Sequence, residues 1–313
     1  MIVSASLDQS QSPLTEYLTT KELAELLRIK ERKVYDLAAS GSVPCSRATG
    51  KLLFSRTAVN TWIESHVSNI DSPLKVRPLV IIGSHEPLLE WALRESRCGL
   101  ASYLDSSLDG LDRFEQGDGI AAGLHIYNAE SNDWNTPLVK SRLIKPHLTH
   151  SGFANSGFVL VEWAKRERGM IVNPDRAEEY QSLQDIKSKK VVPRQSEAGS
   201  QILLKALMSE QSIDASSIRW TADARSEMDA VVDVLEGKAD VSFGLATLAS
   251  QFQLGFIPVI EERYDLLIDR QAWFEPTWQK FIQFCQSKSF TRRANELTGY
   301  NLTQQFSVHF NSQ

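Results

Sequence analysis

Three times beyond residue 78 a short apolar run breaks off at a turn of small polar residues, and an amphipathic stretch follows. Residues 78–82 lead into Gly83-Ser84-His85-Glu86-Pro87, and residues 100–104 into Asp105-Ser106-Ser107. Residues 191–193 lead into the run from Arg194 to Ser200, ahead of a helix expected over 201–208. Strand-length runs alternating with helical stretches specify an α/β domain with a mostly parallel sheet. Glycine permits the tight turn, serine caps the next helix, and proline suits a first helical turn. In open α/β sheets such turns gather at the carboxyl ends of the strands, where ligands bind. Serine hydroxyls and unsatisfied N–H groups at helix starts can together hold an anion. Each of these serines would equally serve as a plain helix cap.

Ahead of residue 67 the pattern is compact and helical, with a short interruption. Thr19-Thr20-Lys21-Glu22 offers a capping box, and Leu23, Ala24, Leu26 and Leu27 follow at helical spacing. After a break at 28–30 comes a second helix over about 31–40, with Val34, Leu37 and Ala38 on one face and Gly41 to end it. Two helices with so brief a turn form a helix-turn-helix. Residues 43–54 then read as a hairpin wing with a basic tip, and Ser55 can cap a third helix carrying Ala58, Val59, Trp62 and Ile63. The expected organisation is a loose N-terminus over 1–16, this domain over 17–66, a linker over 67–77 and the large domain over 78–313.

A net charge of −5 does not suggest a nucleic-acid binder, but the charge is unevenly placed. Between residues 30 and 56 stand Lys30, Arg32, Lys33, Arg47, Lys51 and Arg56 against only Glu31 and Asp36. A local basic patch on an acidic chain suits DNA contact through one domain alone. With 42% hydrophobic and 23% charged residues the chain is not disordered, and no apolar run approaches a membrane span. The start, MIVSASLDQSQSPLTE, has neither a basic beginning nor an apolar stretch, so the expected location is the cytoplasm, with no membrane partner. Cys45, Cys98 and Cys285 are far apart and form no zinc spacing; they are expected to be reduced, partly buried thiols, with no metal site. Neither GxSxG, GxGxxG after the first strand, nor a P-loop occurs, which argues against an enzyme.

The run YLTTKELAELLRIKERKVYDLAASGSVPCSRATGKLLFSRTAVNTWI resembles the excisionase-type, MerR-like winged helix-turn-helix. That resemblance implies a second helix in the major groove and a wing on the backbone. Lys30, Arg32, Lys33 and Tyr35 would then lie at the groove, and Arg47 and Lys51 would reach phosphates. A homodimer on a two-fold DNA site is the physical expectation for a single module with few base contacts.

From about residue 78 onward, GSHEPLLEWALRES, LASYLDSSLDGLDRFEQGDGIAAGLHIY, FVLVEWAKRERGMIVNP and VVPRQSEAGSQILLKALM resemble the periplasmic-binding-protein-like domain found fused to helix-turn-helix modules in bacterial regulators. That domain is related to the binding proteins for molybdate and tungstate. The resemblance implies a type II fold of two lobes joined by two crossovers, lobe 1 from 78–150 and 247–313 and lobe 2 from 151–246. It places Ser84, Ser106, Ser107, Gly199 and Ser200 on turns lining an oxyanion pocket, with Tyr264 as a further donor near the return crossover. It also sets Phe243 where some relatives carry a tyrosine, and Glu197 in a turn that is commonly richer in glycine. His85 and His125 fall at the same rim, as structural residues or as pH-responsive donors. Arg194 suits either an anion clamp or a surface ion pair.

The resulting expectation is a DNA-binding transcription regulator that senses a small oxyanion, molybdate or tungstate, without a cofactor. Two alternatives stand beside it. One replaces the oxyanion with a small organic anion or molybdenum cofactor, and the other is an excisionase-like architectural protein.

Overall fold

A computed structural model describes residues 16–47, 50–65, 76–144 and 157–312. The expected loose N-terminus and linker fall almost wholly outside the described residues. The chain divides after residue 73 into two compact units.

In the first unit, β1 (Tyr17–Thr19) runs into α1 (Thr20–Leu27), followed by α2 (Glu31–Ala39), β2 (Leu53–Ser55) and α3 (Arg56–Ser65). The capping box forms as read: Thr19 N–H donates to Glu22 Oε2 at 2.7 Å, and Glu22 N–H to Thr19 Oγ1 at 3.3 Å. Arg28, in the left-handed region, ends α1 and lets the chain turn at once into α2. Leu18, Leu23, Val34, Ala38, Phe54 and Val59 are buried together. The wing closes on an antiparallel bridge between Ser46 and Leu53. Its outgoing strand then pairs with β1, setting Leu18 opposite Phe54. This two-stranded sheet was not anticipated, because three residues are too few to show an alternating pattern.

The second unit begins with β3 (Val80–Ser84), α4 (Pro87–Ser96), β4 (Ala101–Asp105), α5 (Ser107–Gln116) and β5 (Ala121–Leu124). The hairpin β6 (Tyr127–Asn128) and β7 (Asp133–Trp134) and helix α6 (Thr136–Leu143) lead to the long β8 (Phe158–Val172). Then come β9 (Lys190–Val192), α7 (Gly199–Glu210), β10 (Arg219–Trp220), α8 (Glu227–Leu235), β11 (Val241–Leu245) and α9 (Ala246–Gln251). The equally long β12 (Gly255–Asp269) is followed by α10 (Pro276–Cys285), α11 (Lys288–Asn295), β13 (Tyr300–Asn301) and β14 (Val308–Asn311).

One sheet runs through both lobes in the order β10-β9-β11-β8-β12-β5-β3-β4. Its flanks are parallel, but its centre is not. Strands β8 and β12 lie antiparallel along their whole length, from Phe158 opposite Asp269 to Val172 opposite Gly255. Each is shared between lobes: β5 joins β12 at 265–268, and β11 joins β8 at 168–172. The expected mostly parallel sheet is therefore a mixed one. The expected lobe boundaries at 150/151 and 246/247 also shift, because the chain crosses inside these two strands. Helix α9 packs on Ile171, Val231 and Leu245 and so belongs to lobe 2.

Lobe 1 is built on a core in which Trp163 stacks on Phe281 at 5.8 Å, with Trp278, Cys98 and Cys285 buried beside it. Lobe 2 buries Met170, Leu203, Leu207 and Phe243. Two glycines set the layering beneath the site. A Cβ on Gly110 of α5 would lie 2.2 Å from the Gly83 Cα in β3, and one on Gly123 would lie 1.9 Å from the Tyr264 hydroxyl. Without side chains there, α5 rests directly on β3, and Tyr264 fits under β5. Gly110→Ala is expected to destabilise the protein by about 1–3 kcal/mol through overpacking. Urea denaturation measures this, and an unchanged midpoint would mean that α5 can back away from β3 freely.

Candidate functional site

The carboxyl ends of the parallel strands converge on a cleft of about 250 Å³ between the lobes. Lobe 1 contributes Ser84 at the end of β3 and His85 just after it, Leu104 and Asp105 at the end of β4, and His125 after β5. Lobe 2 contributes Arg194 and the start of α7 (Ala198, Gly199, Ser200), the start of α8 (Arg225, Ser226, Glu227, Met228), and Leu248. Six of the expected residues thus come together: Ser84, His85, His125, Arg194, Gly199 and Ser200. Three stand behind the wall. Ser106 caps α5 by accepting from Asp109 N–H at 3.2 Å. Ser107 is fully buried, its hydroxyl 2.9 Å from that of Ser84. Tyr264, also fully buried, donates its hydroxyl to the Ser84 carbonyl at 2.5 Å. Glu197 is exposed and Phe243 is buried, and neither lines the cleft.

Arg194 is held by its backbone and its side chain. Its N–H donates to Gln201 Oε1 at 2.8 Å, and its guanidinium donates to the Ala224 carbonyl. Its Nε is buried with no hydrogen-bond partner, and burial lowers its pKa from the ordinary arginine value. That is a half-satisfied cation on the cleft wall, rather than the surface ion pair that was the alternative. His85 is exposed and lies 2.7 Å from Glu90 Oε2. Gly199 brings the start of α7 against lobe 1: a Cβ there would lie 2.7 Å from the His125 carbonyl and 2.8 Å from its ring. The first N–H groups of that helix have no acceptor within it.

Beneath the cleft is a buried ionic cluster that the sequence reading passed over. Glu262 of β12 sits opposite Arg166 of β8 in the strand register. It accepts from the Arg166 guanidinium, and from Arg168 Nε at 2.6 Å. Burial alone would raise the Glu262 carboxyl, but the two guanidiniums outweigh it and hold the group well below the usual carboxylate range. Arg168 reaches on to Glu227 at 2.8 Å. Arg166 faces Glu86 at 3.7 Å, which also accepts from the Trp163 indole and the Tyr300 hydroxyl. His125 Nδ1 lies 3.2 Å from Glu262 Oε2, and its Nε2 lies 3.0 Å from the Ser84 hydroxyl. Burial pushes the His125 pKa below its ordinary value despite the pull of Glu262. A signal for this cluster does exist in the sequence: KRER and EER interrupt two largely apolar strands.

In the first unit Lys30, Arg32, Lys33 and Tyr35 are all exposed. At 100° per residue, Arg32, Tyr35 and Asp36 form one outward strip of α2, opposite the buried Val34 and Ala38. Lys51 is exposed on the wing. Arg47 is engaged in part: its guanidinium donates to the Ala38 carbonyl at 3.1 Å, tying the wing to the end of α2.

Removing one member of a buried ion cluster leaves its partners' charge stranded, so Glu262→Gln is expected to cost about 3–5 kcal/mol at neutral pH. A carboxyl with a depressed folded pKa stabilises fully above the unfolded value of about 4.3 and loses that contribution as pH falls through the folded value. The variant should therefore lose less further stability in acid than the wild type, as chemical denaturation at pH 7 and pH 3 would reveal. Equal acid sensitivity of the two would remove Glu262 from this role.

Comparison with known proteins agrees with this two-part construction. A model described as the PBP superfamily domain matches residues 90–286, and one described as a helix-turn-helix domain matches residues 17–67. The uncharacterized protein YvgK of Bacillus subtilis (strain 168) is 24% identical over 308 residues, covering 91% of this chain and 95% of that protein. Similar solved structures include a mutant of ArgBP from T. maritima, with a TM-score of 0.46 and 12% identity over 71% of this chain and 94% of that one. PhnD1 from Prochlorococcus marinus, in complex with methylphosphonate, gives 0.45 and 12% over 73% and 92%. The effector binding domain of QuiR, in complex with shikimate, gives 0.43 and 13% over 66% and 92%. Among the described residues no helix is long and apolar enough to cross a membrane. The first family model spans well over half of the sequence, and the chain belongs to the PBP superfamily, with a helix-turn-helix domain preceding the ligand-binding fold.

Proposed function

We propose that the protein is a cytoplasmic, ligand-responsive transcription regulator that binds double-stranded DNA as a homodimer and senses a small organic acid. The observation that carries this reading is the lobe-2 wall. There Arg194, with an unpartnered buried Nε, stands beside the start of α7 and faces a cleft on the same chain as a basic helix-turn-helix. Guanidinium groups and free helix N–H groups are the donors that recognise an acid.

The size and lining of the cleft favour an organic acid over molybdate or tungstate. At about 30 Å³ per water, 250 Å³ is room for about eight waters, far more than a five-atom oxyanion fills. Leu104, Met228 and Leu248 offer apolar surface that a bare oxyanion cannot use, and Asp105 adds a like charge. The oxyanion remains the second reading because Ser84, Ser200 and the start of α7 lie together on the cleft.

Ser84, His125 and Glu262 have the connectivity of a nucleophile, a base and an orienting acid. The chemistry is against catalysis. Two arginines already draw on the Glu262 charge, and burial lowers the His125 pKa, so the imidazole is a weak base for a serine hydroxyl.

Thermal shift with a panel of carboxylates, amino acids, molybdate, tungstate and sulfate tests the sensor. Arg194→Ala is expected to weaken whichever acid binds by about ten- to a hundred-fold, the worth of a charge-assisted hydrogen bond. Gel shift on the DNA upstream of the protein's own gene tests the reader. Arg32→Glu or Lys33→Glu should abolish DNA binding and leave the ligand-induced shift intact. Loss of both properties together in either variant would mean that the two functions were assigned to the wrong units.

A further inference from the structure

The hydrogen-bond sense of the lobe-1 wall follows from a closed loop of protons. Glu262 is a carboxylate clasped by two guanidiniums, so it can only accept, and the His125 Nδ1 that faces it must carry the ring proton. In the neutral imidazole Nε2 is then a lone pair, and the Ser84 hydroxyl must donate to it. Ser84 has no second proton, so the contact at 2.9 Å is the Ser107 hydroxyl donating to Ser84. Ser107 in turn accepts from the His125 backbone N–H at 3.2 Å. Every hydroxyl proton in the loop is spent. What Ser84 can still offer the cleft is a lone pair, and Asp105 beside it is a carboxylate, which only accepts. On the facing wall Arg194 and Arg225 can only donate, and Glu227, the carboxylate beside them, is already engaged by Arg168 at 2.8 Å.

The two walls therefore ask for opposite partners. Resting on the acid-sensor reading above, we infer that the ligand is a small amino-bearing acid, with its acid group on Arg194 and the start of α7 and its ammonium on Ser84 and Asp105. This assigns Ser84 the reverse of the role an oxyanion pocket would give it. A tetrahedral dianion set against Ser84 would meet lone pairs and a carboxylate. An ammonium there meets acceptors and a countercharge.

The test uses the full-length protein and ligand pairs that differ only in the amino group. Thermal shift with the twenty L-amino acids, then calorimetry with aspartate against succinate, alanine against propionate, and taurine against ethanesulfonate, is run beside molybdate and sulfate. The amino-bearing member of the responding pair is expected to bind at least about tenfold tighter, the worth of one charge-assisted hydrogen bond. Ser84→Ala and Asp105→Asn should draw that ratio toward one, whereas Arg194→Ala should weaken both members alike. Equal or tighter binding of the des-amino acid, or of molybdate, overturns the amine assignment and leaves the acid sensor standing. Silence toward every compound, with the protein folded, overturns both.

Discussion

Glu262 lies at the midpoint of one crossover strand, and both of its arginines lie close to the middle of the other. Burying three charges is expensive, and the attraction between them offsets that cost only while the geometry is kept. In this fold the geometry is the relation between the lobes. His125 approaches the same carboxylate from the end of β5 in lobe 1, and Glu227 approaches Arg168 from the start of α8 in lobe 2. Two cleft-lining side chains, one per lobe, are thus wired to a single carboxylate that neither lobe owns. A ligand shifts a conformational equilibrium only through contacts that differ between its states. His125 and Glu227 line the cleft and both answer to this cluster, so on the proposed sensor reading they are where an occupant of the cleft would be felt.

Much of the architecture could be read from residues that do one job each. The three strand-to-helix turns around Ser84, Ser107 and Ser200 were placed correctly because glycine, serine and proline act locally there. The capping box at Thr19 and Glu22 was legible for the same reason. What escaped the reading was non-local. In β8 the stretch FVLVEWAKRERGMIV carries a charged interior within a buried strand. Only pairing with EER in β12, about a hundred residues on, explains why charge belongs there. The lobe boundaries were misplaced by the same oversight, since a strand long enough to serve two lobes has no boundary in its composition. The pairing of β1 with β2 was invisible because each strand is only three residues long.

The local basic patch told more than the overall charge. The acidic side chains gather largely on the large unit, where many are paired, as in Arg142 with Asp112 and Glu115 or Arg176 with Glu179 and Asp240. The strip on α2 keeps Arg32 and Tyr35 outward because Val34 and Ala38 are needed inward. The core of so small a domain leaves its second helix little choice of face. The winged helix-turn-helix resemblance put Arg47 on the phosphates, yet its guanidinium also ties the wing to the end of α2.

Serines on turns say little about what a cleft would bind, and the reason is chemical. A serine is both donor and acceptor, so its presence on a turn is silent about the partner it seeks. The sense is set by the groups behind it. In this cleft the chain of determination runs from two arginines to Glu262, to the proton on His125 Nδ1, and so to the bare Nε2 that takes the Ser84 proton. Those links come from β8, β12, β5 and β3, four strands brought side by side by topology alone. A pocket that looks built for anions when its serines are counted thus presents, on one wall, the acceptors that an anion avoids.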